Sequence, residues 1–172
     1  MRLRGLLSRA HDPGWAFVPT SGEGARRQGG RFNRRGVPAL YLARALETAW
    51  LEAQQGFAFK PQPKTICAYE IDCEDIVDLT DPAERLAHGV SPADLSCAWE
   101  DVASRGGIPP SWVVADRLQR AGAAGAIVPS FAPGVADDES NVVLWRWGPD
   151  LPHRIKVVDD RGRLPRDDSS WR

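Results

Sequence analysis

The sequence predicts an α+β fold with a mainly antiparallel sheet and short flanking helices, and three observations carry that prediction. Strand-like and helix-like segments mix along the chain without a regular strand–helix–strand rhythm, which argues against a parallel, doubly wound sheet. The segment Asn141 to Trp147 alternates as a strand does, with Val143, Trp145 and Trp147 on one face and Val142, Leu144 and Arg146 on the other. The chain has 172 residues, 42% of them hydrophobic and 26% charged, which suffices for a substantial core in one domain and is not a disordered composition. No internal repeat or linker divides it. Residues 1–172 therefore read as one domain, with a core from about 15 to 160 and a charged surface tail over 161–172.

The elements follow in order. Residues 1–13 are basic and weakly patterned. Trp15 to Val18 is a short strand candidate closed by Pro19, and Thr20 to Gly30, with glycines at 22, 24, 29 and 30, reads as a flexible loop that lets backbone approach a ligand. Ala39 to Ala43 is a buried strand. Ala45 to Gln55 is a helix of good formers stopped by Gly56, with Ala49 on its core side and Thr48 and Glu52 together on one face. A spacer at 60–64 leads to a strand over Thr65 to Asp72, where Cys67, Tyr69 and Ile71 alternate inward. Ile76 to Leu79 is another strand. Asp81-Pro82 and Ser91-Pro92 each set an N-cap residue before a first-turn proline and open short helices. Ser111 to Ala121 is a helix stopped by Gly122; Gly125 to Val128 is a strand ending at Pro129-Ser130; Arg154 to Val158 is the last strand.

Charge is uneven. The net charge of −1 gives no global case for nucleic-acid binding. Residues 1–35, however, carry eight arginines against Asp12 and Glu23, a local +6 that leaves −7 on the remainder. A basic first third on an acidic body suits an anionic ligand or an acidic partner. Cys67, Cys73 and Cys97 have no metal-ligand spacing and read as reduced thiols. No apolar run approaches a membrane span and the N-terminus lacks a signal-peptide core, so the expectation is a cytoplasmic chain without membrane contact or a metal.

Candidate chemistry gathers around residues 29–52. Arg31 follows two glycines, and its guanidinium fork matches phosphate or carboxylate. Glu52 lies on a helix that must pack against the 39–43 strand, where a carboxylate is costly without a partner or a task. Tyr41 is one of two tyrosines. Ser130 ends a strand after a proline and reads as a turn residue or a ligand-bonding hydroxyl, and Asn141 opens a strand and ties down a loop. No Ser-His-Asp arrangement, P-loop or dinucleotide fingerprint is present.

The run Gly29-Gly30-Arg31-Phe32-Asn33, two residues, then Gly36-Val37-Pro38-Ala39-Leu40-Tyr41-Leu42-Ala43, with Glu52 eleven residues after the tyrosine, resembles the RES-domain family. Val128-Pro129-Ser130 and the strand from Asn141 resemble its later pattern, with Ser140 a second candidate for the family serine. The family consists of toxins of bacterial toxin–antitoxin pairs, with a fold similar to ADP-ribosyltransferases of the diphtheria-toxin type. The resemblance implies NAD⁺ as substrate, with Glu52, Arg31 and Tyr41 catalytic and Arg31, Tyr41, Thr48, Ser130 and Asn141 binding the dinucleotide. It also implies a helix-turn-helix (Xre-like) antitoxin that occludes the site. The Asn141–Trp147 strand and the Leu164-Pro165…Ser169-Ser170-Trp171 tail resemble the branch that ADP-ribosylates a nucleotide-synthesis enzyme. Destruction of NAD⁺ by water or phosphate is the alternative. An NAD⁺-sensing domain without turnover, and a non-catalytic nucleotide- or RNA-binding module, are the further ones.

Overall fold

The computed structural model describes residues 1–54, 62–136 and 138–169. Seven strands form one sheet: β1 (Leu3–His11), β2 (Leu40–Ala43), β3 (Thr65–Cys73), β4 (Ile76–Asp78), β5 (Gly125–Pro129), β6 (Ser140–Leu144) and β7 (His153–Val157), in the spatial order β4-β5-β6-β2-β1-β3-β7. The helices are α1 (Glu23–Gln28), α2 (Leu46–Ala53), α3 (Pro82–Ala87), α4 (Pro92–Ser96), α5 (Trp99–Ser104) and α6 (Pro110–Arg120). All strand pairs are antiparallel except β4 with β5. The α+β class with a mainly antiparallel sheet is therefore observed.

Both faces of the sheet are covered. One core holds Leu7, Leu42, Tyr69, Val142 and Leu144; the other holds Phe32, Ala39, Leu118, Val143 and Trp145. Since β6 is buried on both sides, its residues 142–144 are all apolar, as a central strand requires. The expected strand to Trp147 is shorter: the chain leaves β6 at Trp145, whose amide and that of Arg146 both donate to the Ala124 carbonyl. Trp147 consequently joins the core of Val142 and Leu144, not that of Val143 and Trp145.

Three further expectations change. The basic N-terminus contains a full strand: β1 pairs with β3 from Leu3↔Cys73 to His11↔Thr65. Its Leu3, Leu7 and His11 are buried every fourth residue, and Arg2 and Arg4 ion-pair with Asp72 at 2.6 and 3.1 Å. Residues 15–18 are not a strand. Asp12 caps a 3₁₀ turn at Pro13–Trp15, and successive i→i−3 bonds fold the chain as far as Ser21. Within the glycine-rich segment, 23–28 is helical, fixed by Glu23 pairing with Arg26 and Arg27 and closed by Gly29 at φ +79°.

The N-caps at Asp81 and Ser91 form as expected, Ser91 in a capping box with Asp94. Helix α2 ends at Ala53; the predicted stop Gly56 lies outside the described residues, as do Ser170 and Trp171. In the tail, the Asp159 carboxylate accepts from the amides of Arg163 and Leu164, and Leu164 packs on the core. Among the described residues no helix is long and apolar enough to cross a membrane.

What positions the site is a seam. β1 and β2 are joined through one register pair, Ser8 with Ala43, whereas β1 and β3 share nine. The sheet is thus two halves, β4-β5-β6-β2 and β1-β3-β7, that splay apart beyond that pair. Helix α2 packs across the seam against β1 and β2.

Candidate active site in the sheet seam

A cleft of about 560 Å³ opens at this seam, and Arg31, Tyr41, Glu52 and Asn141 all line it. Its size falls in the usual range for small-molecule sites of ~300–1,000 Å³. One wall is the Gly29–Asn33 turn. Gly30 and Asn33 exchange backbone hydrogen bonds at 3.0 and 3.3 Å. A Cβ on Gly30 would come within 2.7 Å of both Asn33 Oδ1 and the Tyr41 hydroxyl, so only glycine fits. The turn is held from outside by indole donors: Trp112 Nε1 to Gly30 O at 2.7 Å and Trp145 Nε1 to Phe32 O at 2.9 Å. Asn33, 2% exposed, binds it from inside through the carbonyls of Ala25 and Val37.

The Tyr41 hydroxyl belongs to the same framework. It donates to Asn33 Oδ1 at 2.8 Å and accepts from the Phe32 amide at 2.9 Å. Desolvation raises its pKa well above that of a free phenol. The hydroxyl is engaged inside the turn; what Tyr41 offers the cleft is its ring.

Arg31 is also anchored. Its Nη1 donates to the carbonyls of Cys97 (2.6 Å) and Leu95 (3.2 Å) at the α4–α5 junction, and its guanidinium lies 4.6 Å from the Phe131 ring centroid. Burial lowers its pKa, opposed mainly by Cys97 and Glu52. The junction it clamps, in a region the sequence left unassigned, delivers Trp99 to the cleft.

Glu52 faces inward from α2. Its Oε1 accepts from Ser130 Oγ at 2.6 Å and from Asn141 Nδ2 at 2.5 Å, so three elements far apart in sequence converge on one carboxylate. The contact to Glu52 is made by Ser130; Ser140 is buried in β6 opposite Pro129. Among the described residues the buried Asn141 Oδ1 has no hydrogen-bond partner. Thr48, one turn before Glu52, does not line the cleft: its hydroxyl donates to Glu139 Oε2 at 3.0 Å and braces the β5–β6 connection.

Sequence reasoning missed Arg9, His11 and Lys64, which line the same cleft from β1 and the start of β3. Arg9 Nη1 is fixed by the carbonyls of Pro19 (2.8 Å) and Ser21 (3.3 Å), and burial lowers its pKa. The only sequence signal was the positive charge of residues 1–35, which does not single out one arginine among eight. Among the described residues no group of His, Cys, Asp or Glu is arranged to hold a metal ion.

The arrangement defines a class: an α+β protein whose split sheet holds one hydrogen-bonded carboxylate facing arginine and aromatic walls. The RES domain family model matches residues 6–167, so the chain belongs to the RES domain family. No curated protein matches it. Among solved structures it is similar to a chain of the M. tuberculosis MbcT–MbcA toxin–antitoxin complex, with TM-score 0.60 and 22% identity over 92% of this chain and 84% of that one. That likeness bears on the fold.

Proposed function

We propose that this RES-domain protein is the toxin of a toxin–antitoxin pair, acts in the cytoplasm as a single domain over residues 1–172, and cleaves NAD⁺ to transfer ADP-ribose to a host protein. The observation that carries this reading is the Glu52 carboxylate, held by Ser130 and Asn141 in a cleft shared with Arg31 and Tyr41. The donor set suits the dinucleotide. Arg9, Arg31 and Lys64 supply cations for a diphosphate, Tyr41 and Trp99 supply ring surfaces, and the Asn141 Oδ1 lacks, among the described residues, a donor that a ribose hydroxyl or carboxamide provides.

The chemistry needs one carboxylate. Heterolysis of the C1′–N bond sends its electron pair to nicotinamide, which leaves neutral and requires no general acid. Positive charge develops on the ribose, as in glycoside cleavage. Glu52, oriented before the reaction by two hydrogen bonds, stabilises that charge more than the ground state. A nucleophile on the acceptor then bonds C1′ and releases its proton. The preference for a nucleotide-synthesis enzyme as acceptor rests on the sequence resemblance. A helix-turn-helix antitoxin covering the cleft is the partner the sequence resemblance implies, and the M. tuberculosis chain named above comes from a toxin–antitoxin complex.

Incubation of the purified chain with NAD⁺ labelled in its adenylate part, with and without phosphate and host lysate, tests this. Nicotinamide release with label on a protein band is expected. Free ADP-ribose or its 1-phosphate would replace transfer by NAD⁺ destruction, and no turnover would remove the enzymatic reading.

A further inference from the structure

Helix α2 carries two side chains that reach the β5–β6 hairpin. Thr48 and Glu52 stand one turn apart on one face, about 6 Å along the axis at ~1.5 Å per residue. Glu52 accepts from Ser130 Oγ and Asn141 Nδ2, while Thr48 Oγ1 donates to Glu139 Oε2 at 3.0 Å. Thr48 is 2% exposed, so its hydroxyl needs a protein partner, and a carboxylate gives it a charge-assisted bond. A helical threonine commonly turns its hydroxyl back to the carbonyl one turn earlier. That of Thr48 crosses to the β5–β6 connection instead.

Glu139 also acts through its backbone. Its carbonyl accepts from the Ser130 amide at 3.0 Å, and the carbonyl of the next residue, Ser140, accepts from the Arg44 amide at 3.2 Å, where β2 runs into α2. Glu139 therefore grips both partners of the Ser130–Glu52 bond: Ser130 by main chain, and the helix of Glu52 by side chain. The Ser130 hydroxyl is oriented further by the Ala132 amide, which donates to it at 3.4 Å.

The second tether matters because α2 is short. It spans Leu46–Ala53, and among the described residues no side chain caps its start at Ala45. Held at Glu52 alone, such a helix can turn about that point or slide. Held one turn away as well, it can do neither. The demand is strict, since a reacting group must stay within ~0.5 Å of its place and a shift of ~1 Å can cost about 10²-fold in rate.

We infer that Glu139 is a positioning residue for the reaction, holding Thr48 and the Ser130 backbone so that the Glu52 carboxylate stays aimed into the cleft. This rests on the NAD⁺ reading proposed above and adds to it a residue that does not itself line the cleft.

The test is the steady-state rate of nicotinamide release from NAD⁺ by the full chain, with kcat taken per folded molecule from urea unfolding. Glu139→Ala and Thr48→Val are each expected to lower kcat about tenfold with KM within about threefold, and the double variant to be no worse than about twofold below either, because one bond is lost in all three. Glu139→Gln, which keeps an oxygen for the Thr48 hydroxyl, is expected to retain kcat within about threefold. In a Ser130→Ala background, Glu139→Ala should cost no more than about threefold, since part of what it holds in place is already gone. Parental kcat in Glu139→Ala, a rise in KM at constant kcat, or a full further tenfold loss in the Ser130→Ala background overturns the assignment alone. A parent that releases no nicotinamide removes the NAD⁺ reading and the assignment with it.

Discussion

Ser130 and Asn141 both donate to the same oxygen of Glu52, at 2.6 and 2.5 Å. Two donors on one Oε1 fix the torsion of the carboxylate and hold it in place before an oxocarbenium ion would form beside it. Neither donor is near Glu52 in sequence; β5 and β6 bring them there side by side, with Val128 opposite Asn141.

Removing one donor should therefore slow turnover with little effect on folding. Ser130→Ala and Asn141→Leu are each expected to reduce kcat for nicotinamide release about 10- to 100-fold, as for loss of one preorganised hydrogen bond. The double variant should lose less than the product of the two, because both act through one oxygen. Steady-state kinetics on the three variants measures this, and strict multiplicativity would count against a shared role.

Tyr41→Phe separates framework from chemistry. It deletes the bonds to Asn33 Oδ1 and the Phe32 amide and leaves a buried acceptor short of a donor. Urea unfolding should show a loss of about 1–3 kcal/mol. The ring surface remains, so kcat of the folded fraction should stay within about threefold. A collapse of kcat without loss of stability would assign the hydroxyl to the reaction instead.

Arg31→Lys should uncouple the turn from the α4–α5 junction. A lysine ammonium lacks the planar guanidinium that stacks on Phe131 while its Nη1 meets the Cys97 and Leu95 carbonyls. KM for NAD⁺ is expected to rise about tenfold, with a smaller change in kcat. An unchanged KM would mean that the clamp does not shape the cleft.

His11 predicts a pH window. Its folded pKa of about 4 lies below the ordinary value of 6.5, so the unfolded chain binds more protons between these limits. Its contribution to stability is complete above about pH 6.5 and is lost as pH falls towards 4. Asp72, held down to about 2 by Arg2 first, adds a loss only below its ordinary 3.8. Urea midpoints across pH 7 to 4 should fall less steeply in His11→Leu than in the parent; parallel curves would contradict the assignment of this window to His11.

Much of the frame was legible. Alternation marked Cys67, Tyr69 and Ile71, and the Asp81-Pro82 and Ser91-Pro92 pairs marked two helix starts, because both signals are local. The inward carboxylate of Glu52 was legible from the apolar strand that its helix must cover. What escaped depends on pairing between distant segments. β1 buries only every fourth residue and exposes Arg4, which ion-pairs with Asp72, so it shows no period of two. The seam, and with it the places of Arg9 and His11, exists because β1 takes β3 as its full partner and meets β2 at one pair. The Tyr41 hydroxyl and Thr48 looked available for a ligand; each is engaged with a protein partner, Asn33 and Glu139, that no local pattern names.

The central claim is that Glu52 carries the cleavage of NAD⁺, and the most direct measurement is the rate of nicotinamide release by Glu52→Gln against the parent. The substitution keeps the size of the side chain and an oxygen for Ser130 and Asn141 while removing the charge. A fall of at least about 10²-fold, with an unchanged melting temperature and NAD⁺ binding within about threefold, is the predicted result. Release at the parental rate would contradict it.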